Sequence, residues 1–110
     1  MEIVFKTAKL KKICEDIKKA NVEWGPQLAR KVIRRLNDIK SAEYLKDLNH
    51  RPPTRSHTLH GERKGQYAVD LIHPYRLIFQ PISGDGIILI DCDPSQITKV
   101  KILEVVDYHE

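Results

Sequence analysis

The sequence predicts an α+β domain in which an N-terminal helical hairpin packs on a twisted antiparallel β-sheet. Three observations carry this expectation. Apolar residues recur at helical spacing in the first part of the chain, the pattern changes to alternation after Gly65, and no linker or repeat divides the 110 residues. A chain of this length supports one domain with one core, residues 1–110.

The elements follow in order. Glu2 to Phe5 is a short apolar run that suits a first strand. Thr7 is a natural N-cap, and Leu10, Ile13, Cys14 and Ile17 then fall on one helical face with lysines opposite. Asn21 and the Trp24-Gly25-Pro26 break end this helix, and Pro26 fits the first turn of the next. The second helix carries Leu28, Val32, Leu36 and Ile39 on one face, with Arg30, Lys31, Arg34 and Arg35 elsewhere. Ser41 to Leu48 allows a further helical turn or two. Asn49 to Arg55, with Pro52 and Pro53, reads as an extended connector.

Alternation then takes over. Tyr67, Val69 and Leu71 alternate with Ala68 and Asp70, His73-Pro74 marks a turn, and Leu77 and Phe79 alternate with Arg76 and Ile78. Residues 81–94 hold Gly84-Asp85-Gly86 and the apolar run Ile87 to Ile90, which fits either an inserted hairpin or a loop with a hydrophobic foot. Ile97 to Val106 is the last strand.

Composition narrows the function. With 41% hydrophobic and 31% charged residues, this is a globular chain rather than a disordered tail. No apolar run approaches the length of a membrane span, and the N-terminus lacks the pattern of a signal peptide. Cys14 and Cys92 match no metal spacing and read as free thiols of a cytoplasmic protein. Residues 1–76 hold 17 Lys and Arg against 9 Asp and Glu, whereas residues 77–110 hold 2 against 6. A basic body of this kind is the footprint of a phosphate-bearing partner, or else a solvated basic face.

Two clusters and one arginine offer chemistry. The first cluster, residues 51–64, holds Arg51, Arg55, His57, His60, Arg63 and Lys64 against the single acid Glu62. Cations with titratable histidines in a turn suit phosphate recognition, though an ordinary basic hairpin turn looks the same. The second is the terminal Asp107-Tyr108-His109-Glu110. Asp107 and His109 share a face of an extended strand, where the carboxylate can orient and charge-stabilise the ring. Arg76 opens a strand directly after a turn, as a surface residue or as a charge clamp for a transition state.

Together these residues suit RNA cleavage without a metal. A base removes the 2′-hydroxyl proton, an acid protonates the departing 5′-oxygen, and cations stabilise the phosphate as charge builds. Two histidines supply acid and base; Arg76 with Arg63 or Lys64 supplies charge. No zinc, Walker-type or Gly-x-Ser-x-Gly pattern is present, so no metal or cofactor is implied.

Three segments resemble the RelE/ParE superfamily of toxin–antitoxin toxins, most closely its HigB branch. They are residues 57–65 with their histidines and Gly-x-Arg-x-Gly-like run, the aromatic-arginine strand from Tyr75 to Gln80, and the Asp107-Tyr108-His109 ending. The resemblance implies a microbial-ribonuclease-like fold and an endoribonuclease, an mRNA interferase cutting messenger RNA in the ribosomal A site. It places the essential histidine at His57, the strand arginine at Arg76, and the terminal acid, tyrosine and histidine at Asp107, Tyr108 and His109. Arg63 and Lys64 become lesser phosphate contacts, and Arg55, His60, Arg34 and Arg35 complete the expected RNA-binding set.

The implied partners are mRNA on the ribosome and a HigA-like helix-turn-helix antitoxin, with operator DNA reached only through that antitoxin and no membrane. Two departures stand out. His73-Pro74-Tyr75 replaces the usual Asn and Trp before the arginine, and residues 83–96 are longer than compact members need. A ParE-like gyrase inhibitor and a non-catalytic antitoxin-binding member are the alternatives.

Overall fold

In the computed structural model, which describes residues 1–107, the first helix starts where Thr7 adopts extended backbone and its hydroxyl accepts the Leu10 N–H at 3.1 Å. Helix α1 (Ala8–Glu15) then stops early. Asp16 leaves helical dihedrals at φ −130°, ψ 108°, and its carboxylate caps α2 (Ile17–Trp24) by accepting the Lys18 N–H at 2.9 Å. The single helix expected from periodicity is thus two, because one short acidic side chain competes for the backbone donors of the next turn. Gly25 turns the chain at φ 80°, a conformation that favours glycine, and Pro26 opens α3 (Pro26–Ser41).

Helix α3 buries the four apolar residues read from its spacing, together with Ala29 and Arg35. A single 3₁₀ turn, Leu45–Asp47, closes the helical part, with Leu45 and Leu48 in the core.

The sheet contains β1 (Glu2–Phe5), β2 (His57–Thr58), β3 (Tyr67–Asp70), β4 (Tyr75–Pro81) and β5 (Lys99–Asp107), in the order β1-β5-β4-β3-β2. The pairs among β2, β3, β4 and β5 are antiparallel, as expected. The pair β1–β5 is parallel, with Ile3 opposite Val100, so the sheet is mixed rather than wholly antiparallel. Nearly the whole chain lies between these two strands and supplies the long crossover that parallel pairing needs.

Alternation sorts the side chains onto two faces. Val69, Leu77, Phe79, Val100 and Ile102 meet Cys14, Val32, Leu36 and Ile39 of the helices in the main core. Tyr67 stacks on Phe79 there, with ring centroids 5.7 Å apart. Each fully buried aliphatic side chain of this kind contributes about 1.5–3 kcal/mol. On the opposite face Leu59, Ala68 and Ile78 form a second, smaller cluster with Leu103 and Val106. This small cluster is the floor on which the candidate site stands.

Residues 83–96 form a loop tied back to the sheet. Ile82 bridges Ile88, and Ser83 N–H donates to the Ile87 carbonyl at 2.8 Å. Gln80, 4% exposed, points its amide Nε2 at the carbonyls of Gly65 (2.9 Å) and Leu89 (3.1 Å), pinning the loop across the β2–β3 connection. The loop lies so close that a Cβ on Gly65 would stand 3.0 Å from the Ile90 Cα. Among the described residues no helix is long and apolar enough to cross a membrane.

Candidate active site

The helix-free face of the sheet brings His57 and Arg76 to either side of β3. His57 pairs with Ala68, and Arg76 pairs with Asp70, so both project from the face of Ala68 and Ile78. Two strand spacings by two residues separate their Cα atoms by roughly 12 Å.

The imidazole of His57 is fixed by its own loop. Arg55 sits at φ 45°, in the left-handed region a non-glycine residue adopts only at some cost. That bend brings its carbonyl 2.8 Å from His57 Nδ1. A carbonyl can only accept, so Nδ1 carries the proton and Nε2 of the neutral ring carries the lone pair. A histidine held in this way carries its lone pair on Nε2, an atom buried within the fold, and the same bond steadies the ring once it is protonated.

Arg76 is 16% exposed and forms an ion pair with Asp70, its Nε 3.2 Å from Oδ1. Both atoms are buried, and the N–H is not aligned closely enough for a hydrogen bond, so the attraction is one of charge. The other carboxylate oxygen of Asp70 accepts from Arg55 Nε at 2.8 Å. Arg63 donates to Gln66 at 3.0 Å and to Glu104 at 3.3 Å, which ties the 3₁₀ turn Gly61–Arg63 to β5 and places an acid beside that guanidinium.

Other predicted residues are placed elsewhere. Arg35 is 2% exposed; its guanidinium donates to the Asp70 carbonyl (2.7 Å), to Asp38 (3.1 Å) and to the Pro53 carbonyl (3.2 Å). This corrects its assignment as a phosphate contact, because a guanidinium so enclosed has no donor to offer RNA. Arg34 is exposed on α3 beside Arg30 and Lys31, away from His57. His60 and Lys64 line a separate cleft of about 490 Å³ with Tyr67 and the stretch from Ile90 to Asp93. They flank the 3₁₀ turn Gly61–Arg63 in the β2–β3 connection, which places them in this cleft rather than beside His57.

Asp107 pairs with Tyr75 and shares its side of the sheet with Leu77 and Val105, opposite Arg76 and Val106. Its expected role is to orient His109, which lies outside the described residues. Tyr108 and His109 lie outside the described residues.

Asp70 is a residue of this face that none of the sequence motifs marks. The signal was available: it is the one acid on the non-core side of an alternating strand, across a short turn from an arginine. The part played by the Arg55 backbone carries no such signal, since a left-handed φ cannot be read from the identity of an arginine.

A helical layer on one face of the sheet and a cationic, histidine-bearing face on the other define an α+β protein of the RelE-like kind. Residues 3–94 match the family described as the RelE-like toxin of the type II toxin–antitoxin system HigB, and the chain belongs to this HigB-like toxin family. The match includes His57 and Arg76 and ends before β5. No curated protein matches the chain. It is a type II toxin, of a family whose members generally cleave mRNA and are paired with an antitoxin.

Proposed function

We propose that this toxin is a metal-independent endoribonuclease that cuts messenger RNA on the ribosome. The observation that carries the reading is the pairing of a histidine in a set tautomer, Nδ1–H to the Arg55 carbonyl, with Arg76 on the same sheet face. In the proposed reaction one histidine takes the proton of the 2′-hydroxyl, the freed oxygen attacks phosphorus, and the bond to the 5′-oxygen breaks. A second acid protonates that leaving oxygen, which leaves a 2′,3′-cyclic phosphate. Arg76 balances the charge that grows on the phosphate.

His109 is the proposed second proton carrier and Tyr108 the proposed base-stacking or 2′-hydroxyl contact, both on the sequence resemblance. The partner that silences the toxin is a HigA-like helix-turn-helix antitoxin, which also brings it to operator DNA.

The test is induction of the toxin without antitoxin, followed by growth measurement and primer-extension mapping of mRNA ends. Cleavage falls by about 10²–10⁴-fold in His57→Ala and His109→Ala and by about 10²–10³-fold in Arg76→Ala. Intact mRNA with DNA-damage signalling in the wild type overturns the reading in favour of gyrase inhibition. Full cleavage by both histidine variants overturns the acid–base scheme.

A further inference from the structure

We infer that Asp70 is a positioning residue, a single carboxylate that sets both the histidine and the arginine of this face before RNA arrives. The inference rests on the endoribonuclease reading and adds a residue to it that neither the motifs nor the family match assigns.

The geometry runs outward from Asp70 in two directions. Oδ2 accepts from Arg55 Nε at 2.8 Å, and the Arg55 carbonyl in turn accepts from His57 Nδ1 at 2.8 Å. Oδ1 lies 3.2 Å from Arg76 Nε. One anion thus holds the bend that sets the histidine tautomer and also gathers the strand arginine.

The carboxylate itself cannot drift. The Asp70 N–H donates to the Thr54 carbonyl at 2.8 Å, and its carbonyl accepts from the buried Arg35 at 2.7 Å. Arg35 also reaches the Pro53 carbonyl at 3.2 Å, so the loop carrying Arg55 and the strand carrying Asp70 are fastened to one side chain of α3. Position is inherited from the helical layer.

The two arms differ in a way that suits catalysis. The Arg55 arm is an aligned hydrogen bond, whereas the Arg76 arm is a charge contact without alignment. Arg55 is locked; Arg76 is steered but keeps donors that can turn to a phosphate. An acid that only screened the cleft would need neither the second arginine nor the main-chain anchors.

The experiment uses Asp70→Asn, which keeps shape and removes charge, and Arg55→Lys, which keeps charge and removes the Nε donor. Steady-state cleavage rates are measured over a range of mRNA-programmed ribosome concentrations, and the His57 ring tautomer is read from imidazole ¹⁵N shifts in the free toxin. Asp70→Asn is expected to lower kcat about 10–100-fold while KM moves less than about threefold, as for a small misplacement of reacting groups. Both variants should lose the pure Nδ1–H tautomer, and combining them should add nothing further to that loss.

A rise in kcat/KM for Asp70→Asn shows a mere electrostatic screen and overturns the inference. An unchanged tautomer in both variants, with activity lost only in proportion to folded protein, shows a structural acid and also overturns it. A wild type that cuts no RNA removes the endoribonuclease reading alone, since the tautomer measurement still decides the positioning role.

Discussion

Replacing Arg35 separates the two roles open to a helix arginine in an RNA-binding protein. At 2% exposure it holds three acceptors: the carbonyls of Asp70 and Pro53 and the carboxylate of Asp38. Arg35→Ala leaves the two main-chain carbonyls short of a donor, at about 1–3 kcal/mol each. Asp38 is 37% exposed, so water resolvates its carboxylate and its share is discounted to a few tenths of that range. Lost packing of the arginine stem adds about 1 kcal/mol. The expected loss is about 4 kcal/mol, a large part of the stability of a domain this size. Arg35→Lys keeps the charge but offers one compact donor group in place of the fork, and should lose about 2 kcal/mol.

Urea unfolding followed by circular dichroism reads these values as a fall in midpoint at constant slope, about 2 M or more for Arg35→Ala. Arg34→Ala, one residue earlier and exposed, serves as the control and should change stability by less than about 0.5 kcal/mol. An Arg35→Ala midpoint equal to that of the wild type, with RNA cleavage lost, would refute the structural role and restore the phosphate contact first expected from sequence.

Two further outcomes follow from buried groups. Burial, reinforced by Glu15 and opposed by Lys40, pushes the Cys14 thiol up from 9.0 to about 11. Its folded value exceeds the unfolded one, so its stabilisation is complete below about pH 9 and fades as pH rises toward 11. Stability should fall by about 2 kcal/mol across that window, and Cys14→Ala should flatten this part of the pH–stability curve. Gln80→Leu should cost about 2 kcal/mol by orphaning the Gly65 and Leu89 carbonyls. Hydrogen exchange should then quicken across residues 83–96; unchanged exchange would show that the loop is not held by Gln80.

Much of the fold was legible because the period of apolar residues records which face is buried. Leu28, Val32, Leu36 and Ile39 on α3, and Tyr67, Val69, Leu77 and Phe79 on β3 and β4, face the core where their spacing put them. The break at Asp16 was not legible, since the apolar spacing runs straight through it and only the local capping bond ends α1. The parallel β1–β5 pair was also hidden: four residues of apolar run name a strand but not its neighbour.

The site divides along the same line. Sequence determined the chemical inventory, namely His57, Arg76, the cationic stretch around them and the family to which they belong, because residue type and local spacing suffice for those. Tertiary structure decided which of the cations share a face. The turn between β2 and β3 placed His60 and Lys64 in a separate cleft, the helix–sheet interface enclosed Arg35, and β-pairing put Asp107 across from Tyr75 and Asp70 beside Arg76. The physical reason is that charge is written residue by residue, whereas the direction in which a side chain points is set by partners 15 to 35 positions away in the chain.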